Sequence, residues 1–277
     1  MNRIGNSYIL ISFSYSRNLG VHMARPYQNK SMDRGLRILD LFNEETVHLT
    51  ASEIAAVFNT TPATLYPTLC TLVNHDYLSR DGRKRYSLGL KILERSGQVL
   101  AQLDVRRVSR SYLQDLARQR QATSDLGILY GDEVLYLERR VGHPAAMVNE
   151  VVGRRVPLHC TSIGKVLLAF LPAPERESLI SALSLDAYTP NTIVDPKKLK
   201  KELDDVVRRG YAVDGQEFHL GSSCVGAPIR GHEGRVVAAL SLMLPADQDG
   251  NHAMLEEQAA AVVETANAIS RELGYTT

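Results

Sequence analysis

The sequence predicts an α+β protein in two parts, a small helical head with a basic hairpin and a larger domain built on an antiparallel sheet. Three short helical patterns and two β-prone runs occupy residues 31–89, whereas from Ser124 onward short apolar runs alternate with turns and helices. A chain of 277 residues with 44% hydrophobic content is large enough to bury a core in each part. Residues 1–30 lack a helical period and are expected to form a mobile leader.

The first two helices of the head are predicted from apolar spacing and from residues that cap helix starts. Leu36 and Leu39 recur at helical spacing after Ser31, which is the expected N-cap of the first helix. The second helix is expected to begin at Thr50, because Thr50 and Glu53 have the spacing of a capping box. In that motif each side chain accepts a hydrogen bond from the backbone N–H of the other residue.

The third helical pattern, within residues 60–78, has leucines on one face and a proline in its middle. Proline lacks the N–H that a helix interior uses, at a cost of roughly 3 kcal/mol. If Thr64 is the N-cap, Pro67 falls in the first turn, where its missing N–H costs little. If Pro62 is the first helical residue, Pro67 leaves the carbonyl of Ala63 without its helical bond, and the helix is expected to bend there.

A hairpin and a long helix follow the three helices. Asp81 and Gly82 separate two short β-prone runs, which is a strong hairpin signal, and the loop around them is basic. Three short helices followed by a basic hairpin are typical of a winged helix-turn-helix, whose third helix enters the major groove of DNA. The alternative is a small helical scaffold with a solvated basic loop. A long helix is expected over residues 90–121.

Candidate DNA contacts lie off the apolar face of the third helix and at the tip of the hairpin. Threonine hydroxyls suit phosphates and base edges, and cationic side chains on a wing suit phosphates or the minor groove. The candidates are Thr61, Thr64, Tyr66, Thr68, Thr71, Arg83 and Lys84.

Charge is unevenly distributed along the chain, although the net charge is only +1. Residues 24–123 contain 15 Lys or Arg and 10 Asp or Glu, whereas residues 124–277 contain 15 and 21. The basic part predicts a polyanionic partner for the head, and the acidic part predicts none for the second domain. Chance scatter of surface charge is the alternative explanation.

Composition disfavours several classes of protein. The cysteines Cys70, Cys160 and Cys224 are too few for a secreted disulfide framework and odd in number, which favours a reducing cytoplasm. No apolar run reaches the length of a membrane span. Neither a compact metal-ligand spacing nor an oriented nucleophile occurs, so we expect no catalytic residue, metal or cofactor. The rival functions are an enzyme built on the second domain and a ligand-independent architectural protein.

The second domain is predicted to mix hairpin strands with helices. Strand-like runs are expected within residues 125–160 and 211–244. Helices are expected after Ser162, before Gly210 and from about Met254 to Leu273. Prolines after the helix at Ser162 are expected to stop it.

Seven stretches carry a further pattern: SMDRGLRILDLF, LTASEIAAVF, TLYPTLCTLVNHDYL, RYSLGLKILERSG, VPLHCTSIGKVLLAFLP, GYAVDGQEFHLGSSCVGAPI and GRVVAALSL. Together and in this order they resemble the IclR family of bacterial transcription regulators. The resemblance implies a winged helix over residues 31–89, a linker helix used in dimerisation over 90–121, and a GAF-like effector domain over 122–277. It also implies homodimers or tetramers on a near-palindromic operator in double-stranded DNA. Effector binding is expected to change the arrangement of the linker helices and so the spacing of two DNA heads.

The resemblance further implies a pocket for a small organic acid. By similarity to family members with a bound small acid, its lining is Val156, Ser162, Ile163, Asp214, Ser222, Cys224 and Ser241. Gly164 joins this set because the free N–H groups at Ser162, Ile163 and Gly164 would form an anion site at a helix start. Met243 stands where another small polar residue can occur, which favours a carboxylate with an apolar or aromatic body.

The chain departs from the family pattern in the third helix. An arginine is usual where Pro67 stands, and the resemblance favours a helix that starts at Pro62. One arginine contact to DNA is therefore absent, and the operator is expected to differ from those of other members.

Overall fold

The computed structural model describes residues 29–142, 152–246 and 252–276, and it divides into two compact units. The first unit ends at Leu103 and the second begins at Asp104. The division therefore falls within the segment expected to be one linker helix. The predicted leader of residues 1–30 lies outside the described residues, except for its last two, which begin the first helix.

Helices and short strands alternate in the first unit. They are α1 (Lys30–Leu39), β1 (Leu49–Thr50), α2 (Ala51–Val57), α3 (Pro62–Asn74), β2 (Leu78–Arg80), β3 (Arg85–Leu88) and α4 (Leu90–Gln102). The strands form an antiparallel sheet in the order β1-β3-β2, so the hairpin predicted around Asp81 and Gly82 is present as β2 and β3. A shared core holds the helices on this sheet; its fully buried members include Ile38, Ile54, Leu65 and Leu69.

Helix starts in the first unit follow capping chemistry. Asn29, and not Ser31, is the N-cap of α1, because the Asn29 side chain accepts hydrogen bonds from Ser31 N and Met32 N at 3.0 and 3.1 Å. The capping box at α2 is as predicted: Thr50 N donates to Glu53 Oε2 at 2.7 Å, and Glu53 N donates to Thr50 Oγ1 at 3.3 Å.

The second unit combines a sheet with five helices in the described residues. Its elements are α5 (Asp104–Arg120), β4 (Thr123–Tyr130), β5 (Glu133–Val141), β6 (Arg155–Pro157), α6 (Ser162–Ala169), α7 (Ala173–Ala182), α8 (Pro196–Arg209), β7 (Ala212–Gly215), β8 (Ser222–Arg230), β9 (Val236–Pro245) and α9 (His252–Glu272). The strand order is β6-β5-β4-β9-β8-β7, and every pairing is antiparallel. The predicted α+β class and antiparallel sheet are therefore confirmed.

Two helix boundaries in this unit depend on single residues. Gly210 ends α8 in the left-handed conformation (φ 82°), as glycine at this position predicts. The sequence pattern does not predict α7, because Pro174 is expected only to stop the preceding helix. In the structure Pro174 lies in the first turn of α7, where a missing N–H costs nothing.

The two faces of the sheet are covered by different helices. Ser124 Oγ donates to the carbonyl of Leu113, so Ser124 faces α5, which packs on the sheet beside α9. Gly127 faces the other way, because a Cβ there would lie 3.0 Å from Ile163 of α6. Side chains alternate along a strand, so Asp125 shares the α6 face with Gly127. That face holds the candidate effector site.

The prediction of a single helix over residues 90–121 is wrong, because the segment forms two helices, α4 and α5. Leu103 between them has extended backbone angles (φ −86°, ψ 95°). No glycine or proline stands at the break, so local sequence does not signal it. The packing differs across it: α5 buries Val108, Leu113 and Leu116, whereas α4 buries no residue within the described chain.

No helix in the described ranges has both the length and the apolar character needed to cross a lipid bilayer.

Candidate DNA-reading head and effector cavity

The start of α3 decides the position of Pro67. Thr61 is the N-cap, its side chain accepts a hydrogen bond from Thr64 N at 3.3 Å, and Pro62 follows in the first turn. The start at Thr64 is therefore wrong, and the start at Pro62 is correct. Pro67 lies inside the helix, and it is exposed where it lines an open groove between α1 and α3.

The predicted DNA-contacting residues of α3 fall on different sides of the helix. Thr61 and Thr64 lie 3.0 Å apart through their hydroxyls at the helix start, and Tyr66 is 54% exposed. Thr68 and Thr71, by contrast, line a groove of about 590 Å³ between α1 and α3. Thr61, Thr64, Tyr66 and Thr71 are exposed, and only Thr68 of these candidates is half-buried.

The wing presents cations that no carboxylate neutralises within the described residues. Asp81 accepts hydrogen bonds from Arg83 N and Arg85 N, each at 2.9 Å, and it pairs with the Arg85 side chain. The backbone bond from Arg85 holds the pKa of Asp81 below its usual value. Arg83 and Lys84 are exposed at the tip, and Lys84 has a left-handed backbone (φ 62°).

Replacing Pro67 by alanine is expected to stabilise α3 by about 1–3 kcal/mol, because alanine restores a helical N–H and has the highest helix propensity. Hydrogen exchange of the α3 amides should then slow by about 5- to 150-fold, since 1.4 kcal/mol corresponds to a factor of ten. Pro62→Ala is the matched control, because a proline in the first turn removes no hydrogen bond. Equal exchange rates in the wild type and Pro67→Ala would contradict this account.

Six of the nine predicted effector residues come together at one cavity in the second unit. The cavity is lined by Asp125, Tyr136, Thr161, Ser162, Asp214, Phe218, His219, Ser222, Cys224, Ser241 and Met243. Of the predicted set, Val156, Ile163 and Gly164 are absent from the lining. The sequence analysis had not proposed five of the lining residues, namely Asp125, Tyr136, Thr161, Phe218 and His219.

Strand register explains how distant residues meet at this cavity. Asp214 on β7 lies opposite Cys224 on β8, which lies opposite Met243 on β9. In the next row Ser241 on β9 lies opposite Asp125 on β4. Residues paired across neighbouring strands point to the same face, so both rows face α6.

The start of α6 forms part of the cavity lining through Thr161 and Ser162. Thr161 is its N-cap, and its side chain accepts a hydrogen bond from Gly164 N at 3.1 Å. Gly164 N–H is therefore not free, which contradicts its predicted anion-binding role. A Cβ at Gly164 would lie 2.3 Å from the Leu158 carbonyl oxygen, so this glycine serves close packing.

Val156 and Ile163 belong to the hydrophobic core beside the cavity. Both are almost completely buried, and neither side chain forms part of the lining. Both residues therefore pack in the core next to the cavity and do not contact its interior.

The cavity is small as it stands. Its volume is about 20 Å³, which is room for about one water molecule. Sites for small organic ligands have several hundred Å³. An effector therefore requires side chains to move, and Met243 and the exposed loop residue His219 are the adaptable members of the lining.

Two carboxyl groups line the cavity, and their surroundings differ. Burial, assisted by the charge of Glu217, raises the pKa of Asp214 to about 7, although Asp214 accepts a hydrogen bond from Glu217 N at 2.7 Å. Asp125 forms a two-pronged ion pair with Arg139, with N–O distances of 2.6 and 2.8 Å. Asp214 is therefore partly protonated near neutral pH and can donate a hydrogen bond to a ligand.

A buried lysine ties α6 to the loop that carries Phe218 and His219. Lys165 Nζ lies 2.5 Å from Glu217 Oε1 and 3.4 Å from Glu202 Oε1, and its side chain is 1% exposed. On the other side of the loop, Thr192 Oγ1 donates to the Glu217 carbonyl at 2.6 Å. The loop is therefore held to the body of the domain from two directions.

Cysteine and metal chemistry find little support at this site. Burial raises the pKa of the Cys160 thiol, so it stays protonated and unreactive. No cluster of three or more His, Cys, Asp or Glu side chains suited to a metal ion occurs in the described parts of the chain.

Comparison with known families matches both units. Residues 31–82 match the IclR helix-turn-helix domain, and residues 97–271 match the bacterial transcriptional regulator IclR C-terminal domain. Among similar proteins, the regulator XynR of Escherichia coli is 36% identical over 89% of this chain and 98% of its own length. KipR of Bacillus subtilis is 31% identical over 90% of this chain and 99% of its own.

Solved structures give the same result. IclR of Thermotoga maritima has a TM-score of 0.72 with 33% identity, covering 88% of this chain and 99% of its own. An IclR homologue of Microbacterium hydrocarbonoxydans, solved with 4-hydroxybenzoate, has a TM-score of 0.77 with 28% identity, covering 88% and 98%. The paired helix-turn-helix and C-terminal domains, together with relatives of this identity and coverage, show that the chain belongs to the IclR family of bacterial transcriptional regulators.

Proposed function

We propose that this regulator reads its operator with α3 and the wing, and that a small organic acid in the cavity of the second unit controls it. The carrying observation is that one chain joins an exposed cationic wing to a domain with a buried polar cavity. The head supplies the electrostatic part of DNA affinity, since exposed lysines and arginines displace counterions from phosphates. We place its action in the cytoplasm, where operator DNA is accessible.

The lining of the cavity supports an acid with an aromatic or apolar body. Tyr136, Phe218 and Met243 supply apolar surface, and the serines of the lining supply hydroxyl donors. The relative solved with 4-hydroxybenzoate carries a ligand of this kind. The named relatives are regulators, so we propose that the cavity binds its effector without converting it.

Homo-oligomerisation through α4 forms part of the proposal. Leu90 is 81% exposed, Leu93 68% and Val99 56%, and no described residue covers them. A helix with an uncovered apolar stripe is stabilised when a second copy buries that stripe. We therefore propose a homodimer or tetramer on the operator.

The operator proposal is tested by fluorescence anisotropy of the protein on its own upstream DNA and on a scrambled duplex, over a salt series. Arg83→Ala and Lys84→Gly are each expected to weaken binding to both duplexes and to reduce the salt slope by about one. Glycine at position 84 keeps the left-handed turn, so the change isolates the charge.

Arg118→Ala is the control for this experiment. It removes one exposed arginine from α5 and changes the net charge by the same amount. Wing variants with the salt slope of Arg118→Ala would contradict the proposed role of the wing. Equal affinity of the wild type for both duplexes, and for genome-wide selected DNA, would overturn the operator proposal.

A further inference from the structure

Two carboxyl groups line the cavity, but its lining within the described residues contains no lysine or arginine that could pair with an acidic ligand. If the effector is an acid, as the proposed function holds, its carboxylate needs a cation or several donors. Arg139 is already committed to Asp125, and Lys165 is committed to Glu217 and Glu202. Neither can bind an effector without leaving a buried carboxylate unpaired.

Arg154 is not itself a lining residue, but its backbone pairs with a residue that lines the cavity. Its carbonyl accepts a hydrogen bond from the backbone N–H of Tyr136, a lining residue, at 3.0 Å. Its side chain is half-buried, and it forms no hydrogen bond or ion pair with any residue in the described ranges. The charge of Arg154 also lowers the pKa of His219, another lining residue, after the larger effect of burial. The guanidinium is therefore close enough to His219 to act on it electrostatically.

Strand alternation places Arg154 on the correct face. Arg155 stacks its guanidinium 4.6 Å from the centre of the Tyr130 ring and pairs with Glu133 at 3.4 Å. Val156, the next residue, packs in the core with Ile163 of α6. Side chains two residues apart share a face, so Arg154 leaves the chain on the side of Val156 and α6, where the cavity lies.

We propose that Arg154 is the residue that selects acidic effectors, by pairing its guanidinium with the effector carboxylate at the mouth of the cavity between Tyr136 and His219. This inference rests on the proposed function, since it concerns the ligand of that same site. Arginine suits the role because its planar fork binds both oxygens of a carboxylate. The hydroxyls and the Asp214 carboxyl deeper in the cavity then recognise the rest of the molecule.

The test compares acids with their neutral amides on the full-length protein. Isothermal titration uses 4-hydroxybenzoate, phenylacetate and pyruvate, each beside the corresponding amide. The wild type is expected to prefer at least one acid over its amide by tenfold or more. Arg154→Gln should weaken binding of that acid about 10- to 100-fold and change binding of the amide less than about threefold, because a hydrogen bond to a charged group contributes about 1.5–3 kcal/mol.

Two further variants separate charge selection from general damage. Arg155→Gln removes the neighbouring arginine, which is engaged with Tyr130 and Glu133, and it should keep the acid preference. Arg154→Lys keeps the charge without the fork and should restore part of the acid affinity. Melting temperatures establish that each variant is folded.

Each outcome has a distinct meaning. Acid affinity that is equal in the wild type and Arg154→Gln overturns the role of Arg154 but leaves the effector site in place. A wild type that binds acid and amide equally overturns the inference in the same way. A wild type that binds its operator but none of the acids overturns the acid-effector proposal together with the inference.

Discussion

Replacing Lys165 by methionine is expected to lower the free energy of unfolding of the second unit by about 3–5 kcal/mol, because the change leaves the buried Glu217 carboxylate without its cation. Lys165 is 1% exposed at its side chain and Glu217 is 9% exposed, so water cannot replace the lost partner. The loop that carries Phe218 and His219 should loosen as well. Urea unfolding measures the stability, and hydrogen exchange of residues 216–221 measures the loop.

The double variant Lys165→Met with Glu217→Met separates pairing from burial. Removing both charges leaves apolar side chains of similar size, and such replacements are often nearly neutral. Its stability should therefore lie much closer to the wild type than that of Lys165→Met alone. Lys200→Met on α8 is the surface control: its ion pair with Glu177 is exposed, and its loss should cost at most about 1 kcal/mol. A cost for Lys165→Met no larger than for Lys200→Met would refute the structural role of the buried pair.

Asp214→Asn is expected to remove a pH dependence of stability. Burial raises the pKa of Asp214 from 3.8 to about 7 in the folded protein, so between these values the folded state binds more protons than the unfolded state. Stability from this group is therefore complete below about pH 4 and is lost as pH rises through about 7. Asparagine can keep the hydrogen bond from Glu217 N without titrating.

The measurement is the urea midpoint of the wild type and the variant at intervals from pH 4.5 to 8.5. The difference between the two curves isolates Asp214 from all other titrating groups. Asp195→Asn is the control, because backbone N–H groups of Lys198 and Lys197 lower the pKa of Asp195, and its contribution is lost only as pH falls through that lowered pKa. If the wild type and Asp214→Asn show parallel curves, the buried protonated carboxyl does not exist.

Asp214 also connects stability to effector binding. Its carboxyl lies in the cavity, where a protonated form donates to an acidic ligand and an ionised form repels it. Glu217 acts on it from the loop and Lys165 from α6: the charge of Glu217 raises the pKa of Asp214, and the charge of Lys165 lowers it by a smaller amount. An acid effector should therefore bind more weakly above about pH 7.

Helix caps and turns can be predicted from the sequence where a few neighbouring residues determine the backbone conformation. Three such features each involve residues within one helical turn. They are the capping box of Thr50 and Glu53, the first-turn proline of α3 and the left-handed Gly210. The same applies to the hairpin at Asp81, where short-range hydrogen bonds define the turn. The family pattern of the chain rests on many such local features in a constant order.

Features that depend on contacts between distant residues could not be predicted from local sequence. The break between α4 and α5 at Leu103 accompanies the different burial of the two helices, and no glycine or proline at this position predicts it. Gly164 is a local exception: it is predicted as a free donor, but Thr161, only three residues earlier, caps the helix and accepts its N–H. Asp125 and Tyr136 carried no motif of their own, since a cavity position depends on which strands are neighbours.

The sequence by itself therefore determined the α+β class, the winged head, the capped start of α2, the end of α8 and the family, because these follow from short-range backbone preferences and from residue order. Only the tertiary structure decided the five further lining residues of the cavity, its near closure, and the commitment of Arg139 and Lys165 to internal carboxylates. The physical reason is that strand register and burial bring together residues far apart in the sequence, as with Ser241 opposite Asp125. Their charges and pKa values are then set by neighbours that sequence spacing does not reveal.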